Sequence, residues 1–226
     1  MFRIPNIITL INLLSGCMAV IFLIQRDITA VLFCLGLCLF ADFLDGFVAR
    51  LLKSYSEMGK ELDSLADMVS FGFLPGLMLF YLLQQGDFST LHWYGAAGFT
   101  ITLFAALRLA KFNIDTRQGE SFLGLNTPSA TLFIAGLLLI YSYQPELGIF
   151  SWPSLLGIGA LLSILMVSDL PMFSLKFKGF SWKGNEIRYI FIIFALLVFI
   201  FLREYSLCIV IAAYILYSLI KYLLKK

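Results

Sequence analysis

Long apolar stretches dominate the chain, broken at intervals by short polar clusters. A bilayer crossing needs about 20 consecutive apolar residues. Eight stretches approach that length: 7–24, 29–51, 62–84, 92–111, 128–143, 152–169, 189–202 and 205–223. They predict an all-α polytopic transmembrane bundle of about eight spans. The fifth and seventh are short for full crossings, so six or seven spans stay open beside eight. No Ser/Gly linker, low-complexity tract or internal repeat interrupts the succession, so residues 1–226 read as one integral membrane domain.

Composition agrees with that pattern. The chain is 61% hydrophobic, with 23 Phe and only 13% charged residues, against roughly 25% charged in a soluble domain. Placement of Lys and Arg sets the orientation, because cytoplasmic loops retain them. With the N-terminus inside, the cytoplasmic segments hold Arg3; Arg50, Lys53 and Lys60; Arg108, Lys111 and Arg117; Lys176, Lys178, Lys183 and Arg188; and Lys221, Lys225 and Lys226. Arg26 and Arg203 fall on the opposite side, and the loops at 84–91 and 144–152 carry no basic residue. Both termini are therefore expected in the cytoplasm, in the cell membrane.

A single Arg3 precedes the first run and no A-x-A-like site follows it, so that run reads as a retained span. Cys17, Cys34, Cys38 and Cys208 lie in apolar runs without C-x-x-C spacing, which suggests neither zinc nor a disulfide framework. The net charge of +2 adds little about partners beyond the loop asymmetry, and no nucleic-acid partner is expected. Two cytoplasmic loops, 113–127 and 171–185, have the mixed composition of ordered surface loops. Trp152 and Trp182 sit near span ends as interfacial anchors do.

Charge inside the apolar runs changes the picture. Six of the 14 acidic residues, Asp42, Asp45, Glu57, Glu61, Asp63 and Asp67, lie between positions 42 and 67, four of them in or at the edge of apolar runs. Each Asp at membrane depth costs about 2.5–3.5 kcal/mol on insertion scales, so four left unpaired would forfeit on the order of 10 kcal/mol. A cation, a polar cavity or interfacial depth must offset that.

At about 100° per residue, Asp42, Asp45, Gly46, Ala49 and Arg50 share one helical face. Gly59, Asp63 and Asp67, spaced by four, form a stripe on the next helix. A short turn around Lys53–Met58 makes the two helices antiparallel neighbours that direct their carboxylates at each other near the cytoplasmic side. Carboxylates without His or Cys suit Mg²⁺, Mn²⁺ or Ca²⁺, and two such ions can bridge a pyrophosphate during an in-line displacement. Gly46 and Ala49 leave room for a bulky ligand, and Arg50 is placed to pair a phosphate. The plain alternatives are close helix packing through small residues and a cation or proton pathway. A transporter predicts further acids on other spans, where Asp169 is the one candidate.

Written out, Asp42-Phe-Leu-Asp45-Gly46-Phe-Val-Ala49-Arg50, eight residues, then Gly59-Lys-Glu-Leu-Asp63-Ser-Leu-Ala-Asp67 resembles the signature D-x-x-D-G-x-x-A-R-x8-G-x3-D-x3-D of the CDP-alcohol phosphatidyltransferases. Every defined position is present, and a match of this length is specific. The resemblance implies a six-helix catalytic core. It implies two divalent metals, Mg²⁺ or Mn²⁺, on Asp42, Asp45, Asp63 and Asp67, and nucleotide binding around Gly46, Ala49, Arg50 and Gly59. By the same analogy Asp67 is the general base. CDP-diacylglycerol would be the donor and CMP the leaving group.

Around the signature the chain is similar to the phosphatidylserine synthase subgroup, in Pro5-Asn6 with Thr9, in 62–72 with Pro75, in Arg108-Leu-Ala-Lys111-Phe-Asn113 and in Gly124-Leu-Asn126-Thr-Pro-Ser129. L-serine is then the expected acceptor, with Arg108, Lys111 and Asn113 as its contacts. Positive-inside placement alone also explains Arg108 and Lys111. Two positions depart from the subgroup pattern: Lys111 stands where Arg is usual and loses the bidentate fork, and Asn126 stands where Pro is usual and loosens its loop. Glycerol 3-phosphate, inositol phosphate or choline are the alternative acceptors. A phospholipase-D-like route needs paired His and Lys, and the only histidine, His92, lies away from the carboxylates. The last spans carry no motif: they support a homodimer interface or complete the bundle.

Overall fold

A computed structural model describes residues 4–54, 56–89, 91–114, 123–173, 182 and 184–224. Arg3, Arg117, Lys176, Lys178, Lys183, Lys225 and Lys226, and with them parts of both cytoplasmic loops, lie outside the described residues. The α-helices are α1 (Ile4–Ile24), α2 (Ile28–Leu51), α3 (Glu57–Asp67), α4 (Leu74–Leu83), α5 (Thr100–Ile114), α6 (Thr127–Tyr143), α7 (Trp152–Val167), α8 (Glu186–Leu202) and α9 (Ser206–Leu223). A π-helical turn, Met68–Phe73, joins α3 to α4 without a break, and a 3₁₀ turn, Gly95–Phe99, leads into α5. Among the described residues no strand forms beyond one isolated bridge, Leu123 with Pro171.

Five helical stretches are long and apolar enough to cross a membrane: Ile4–Ile24, Ile28–Leu51, Glu57–Leu83, Gly95–Ile114 and Glu186–Leu223. The last is a hairpin. At Arg203 the backbone turns to φ 36° and ψ −106°, and Phe191 of α8 comes within 6.3 Å of Tyr214 on α9. α6 and α7 are apolar but shorter, at 17 and 16 residues. The chain thus forms an all-helical bundle with membrane-spanning helices.

Short polar signals set the reversals. At the end of α1, Arg26 takes the left-handed conformation (φ 64°), its N–H donating to Leu23 O and that of Asp27 to Phe22 O, both at 3.0 Å. This is a helix C-terminal cap of the Schellman kind. Asp27 then caps α2, its Oδ1 accepting from Ala30 N at 2.9 Å.

Helices sort by how much of their surface is apolar and where it faces. α4 is apolar all round and buries nine of its residues, which makes it the central rod, packed by α1, α5, α6 and α7. α8 is equally apolar but buries only Val198, so its apolar surface faces outward, as a lipid-exposed helix requires. α1 is inverted relative to a soluble helix. Its buried stripe includes Pro5, Asn6, Thr9, Asn12 and Gly16, while Ile4, Ile7, Leu10, Ile11 and Leu14 are exposed. That inversion carries polar groups from α1 into the bundle beside α2 and α3.

Candidate active site

The first half of the signature rides on the last turns of α2 and the second half on α3, whose start is fixed by Ser56, its hydroxyl accepting from Gly59 N at 3.1 Å. α2 and α3 make little direct backbone approach; both pack on α1, and their carboxylates meet beside it. One oxygen from each of Asp42, Asp63 and Asp67 lies within 4.8 Å of the others. Asp45 stands next to this triad and is buried, its Oδ2 accepting from Thr9 Oγ1 at 2.7 Å. Neither ion pair formed among the described residues, Arg26 with Asp87 and Lys111 with Asp169, involves these four acids. Asp63 Oδ1 is buried and has no hydrogen-bond partner among the described residues. Hard oxygen donors gathered this closely, with no ion pair to them among the described residues, fit a divalent ion of the Mg²⁺ or Mn²⁺ type.

Beside the triad opens a cleft of about 210 Å³, lined by Asn6, Thr9, Asp45, Gly46, Arg50 and Gly59 among others. Ala49 lines it too, so all four positions expected to hold the nucleotide share this wall. At Gly59 a side chain would crowd the cleft, while at Gly46 it would make only ordinary contact. A Cβ on Gly59 would come within 3.1 Å of Asn6 Oδ1, and one on Gly46 within 3.5 Å of the Arg50 guanidinium, which folds back over that position.

Immediately after Asp67 the helix widens into its π turn, a distortion found often at functional sites. Three neighbouring helices pin it. Ser70 Oγ donates to Asn12 O on α1 at 3.2 Å, Thr131 Oγ1 on α6 donates to Phe71 O at 3.2 Å, and Thr102 Oγ1 on α5 donates to Gly72 O at 3.0 Å. Asn12 also faces the site itself, its Nδ2 3.5 Å from Asp67 Oδ1. The hydrophobicity pattern passed over these residues. The available signal was a polar residue in mid-run, since an Asn or Thr inside a span tends to hydrogen-bond across helices.

The three positions expected to touch the acceptor, Arg108, Lys111 and Asn113, follow one another along the end of α5 and have different partners there. Arg108 is buried, 8% exposed, and lies within electrostatic reach of Asp67 and Tyr214. Its guanidinium carbon sits 5.9 Å from the Phe112 ring centre, and its Nε has no hydrogen-bond partner among the described residues. Lys111 instead ties α5 to the end of α7, donating to Val167 O at 3.2 Å and Asp169 Oδ1 at 2.9 Å. Asn113 ties α5 to α3 through Ser64 Oγ at 2.9 Å, and its carbonyl accepts from Lys60 Nζ at 2.9 Å. Asp169, the extra acid a transport path would use, is therefore held by Lys111. Asn126, which stands where Pro is usual in the subgroup, serves as the N-cap of α6: its Oδ1 accepts from Ser129 N at 2.7 Å. His92 stacks on Tyr94 at 5.2 Å, at the end of the bundle opposite the carboxylates.

The sequence profile of the CDP-alcohol phosphatidyltransferases matches residues 2–167. The chain belongs to that family. The match takes in α1 to α7 and both halves of the acidic site, while α8 and α9 lie beyond it. Relatives include the CDP-diacylglycerol–serine O-phosphatidyltransferase of Bacillus subtilis, 34% identical over 185 residues, covering 81% of this chain and 94% of that protein. The Helicobacter pylori protein of the same name is 30% identical over 229 residues, covering 99% of this chain and 92% of its own. The archaetidylserine synthase of Methanothermobacter thermautotrophicus is 30% identical over 168 residues, covering 74% of this chain and 67% of that protein. As a phosphotransferase family member of this kind, the chain is an enzyme of phospholipid synthesis.

Proposed function

We propose that this protein transfers the phosphatidyl group of CDP-diacylglycerol to L-serine, giving phosphatidylserine and CMP. The observation that carries the reading is the convergence of Asp42, Asp63 and Asp67 beside a cleft lined by Gly46, Ala49, Arg50 and Gly59. Serine as acceptor rests on the relatives, which differ in organism and lipid but whose names share serine. Clustered basic residues at one end of the helices support a multi-pass placement of about eight spans, both termini in the cytoplasm and the site facing it.

The chain's own residues divide the work. Asp42, Asp63 and Asp67 would hold a divalent ion, Mg²⁺ or Mn²⁺, with Asp45 alongside for a second. Bound there, such an ion would supply positive charge to offset that of the pyrophosphate and make CMP a better leaving group. The open backbone at Gly46 and Gly59 admits the cytidine nucleotide, and Arg50 pairs its phosphate. Arg108 supplies a buried cation for the serine carboxylate, and this would satisfy the unpartnered Nε. Lys111 and Asn113 hold the end of α5 against α7 and α3, so that Arg108 keeps its depth. Asp67 takes the serine hydroxyl proton as that oxygen attacks the phosphorus bearing the diacylglycerol, and the bond from that phosphorus to CMP breaks. No covalent enzyme intermediate is required.

The test is CMP release from CDP-diacylglycerol by purified protein in detergent, with Mn²⁺ or Mg²⁺, comparing L-serine with glycerol 3-phosphate, inositol phosphate and choline, and with a chelated control. Serine-dependent and metal-dependent CMP is the expected result. CMP with a different acceptor alone would overturn the choice of serine, and activity that survives complete chelation would overturn the metal assignment.

A further inference from the structure

Asn12 sits in the middle of α1, wholly buried, on the same inward stripe as Asn6 and Thr9. Its backbone carbonyl is already in use, accepting from Ser70 Oγ at 3.2 Å and Cys38 Sγ at 3.5 Å. Its side chain is a separate matter. Nδ2 reaches Asp67 Oδ1 at 3.5 Å, and Oδ1 is buried with no hydrogen-bond partner among the described residues. Leucine has nearly the same shape and would fill this place without an unsatisfied polar atom, so packing does not explain an amide here.

What does explain it is the carboxylate it faces. Asp67 leaves α3 just before the π turn, where the helix's own hydrogen-bond pattern changes, and its carboxylate lies among other acids that repel it. The amide is the one hydrogen-bond donor to Asp67 in the described structure. We propose that Asn12 is the positioning residue of Asp67: its side-chain amide holds the carboxylate turned toward Asp42 and Asp63. This rests on the Asp triad being a divalent-metal site. Positioning groups behind metal ligands act through the ligand they orient, so removing one weakens the metal and slows turnover while the ligand itself remains.

The experiment is a double-mutant cycle read by Mn²⁺ binding to the purified, substrate-free protein, using electron paramagnetic resonance of free Mn²⁺, with thermal unfolding as a check on folding. Asn12→Leu should unfold at or above the wild-type temperature and bind Mn²⁺ about tenfold more weakly or worse. In an Asp67→Asn background the same substitution should change Mn²⁺ affinity by less than about twofold, because its partner is gone. Steady-state kinetics should show kcat falling by about tenfold or more, with KM for CDP-diacylglycerol close to wild type. Asn12→Ala, which deletes the amide without adding bulk, should give the same pattern. Equal Mn²⁺ losses in both backgrounds, or unchanged Mn²⁺ affinity and kcat in the single variants, would overturn the proposal while leaving the metal site standing. Absence of Mn²⁺ binding by the wild type would overturn both.

Discussion

The two ends of the bundle treat acidic side chains in opposite ways. At one end, in the loop after α4, Asp87 accepts hydrogen bonds from Ser89 Oγ and from Ser89 N and pairs with Arg26. Those serine hydrogen bonds first, and the guanidinium after them, hold its carboxyl below the usual carboxylate range. At the other end Asp42, Asp63 and Asp67 face one another with a buried oxygen left unpartnered, and neither described ion pair reaches them. Charge at the first end is closed within the chain; charge at the second is open to a ligand. An acid that merely holds a fold acquires a partner from the chain, and an acid kept for chemistry costs the apoprotein stability.

The sharpest way to break that comparison is Asp42→Asn, which keeps the shape and removes one charge. CMP release should fall about a thousandfold or more, a loss of roughly 4 kcal/mol of transition-state stabilisation. In chelator the same variant should unfold at a higher temperature than wild type, because repulsion within the triad is relieved. Activity and stability would then move in opposite directions. If the melting temperature falls instead, the carboxylate is a structural group and the contrast between the ends is lost.

Next in size is Gly16→Ala, which tests whether the open end depends on the close approach of α1 to the π turn. An added Cβ would lie 2.4 Å from Ser70 Oγ and 3.2 Å from Ser70 Cα, so the Ser70 hydroxyl must swing away from Asn12 O or α1 and the turn must draw apart. The expected cost is about 1–3 kcal/mol, typical of added bulk at a tight contact, read as a lower melting temperature in detergent together with reduced CMP release. Unchanged melting would mean that the contact is slack and that the turn is set by Thr102 and Thr131 alone.

Much of this was legible in the sequence, and what was not has a physical reason. The apolar runs at 29–51 and 128–143 meet α2 (Ile28–Leu51) and α6 (Thr127–Tyr143) within a residue, because the loss of apolar length coincides with capping residues such as Asp27 and Asn126. The acidic stripes were legible because a 3.6-residue period fixes which side chains share a face. Two features escaped. The π turn changes the period within an unbroken helix, and nothing in Met68–Phe73 announces it before its neighbours on α1, α5 and α6 are known. Asn12 acts across 55 positions of sequence, a pairing that no local spacing encodes. At the expected acceptor positions, Lys111 and Asn113 hold α5 against its neighbours, and Arg108 is the buried cation of the three.

The smallest effect is expected at the closed end, and it is where the comparison can be sharpened most cleanly. Asp87→Asn removes a charge of the same kind as Asp42→Asn but far from the triad, so CMP release should stay at the wild-type rate. The pair is solvent-exposed, with 54% and 38% of the two side chains accessible, so solvent screening keeps its contribution to stability slight. The sign is fixed by the lowered carboxyl. Such a group contributes stability that is present above the unfolded pKa of about 3.9 and is lost as pH falls through the folded value, where both states carry the proton. Any melting difference between wild type and Asp87→Asn should therefore appear at neutral pH and disappear in acid. A difference that grows in acid, or a loss of turnover at neutral pH, would show that the closed end is coupled to the site, and the division of the bundle into a structural end and a chemical end would have to be given up.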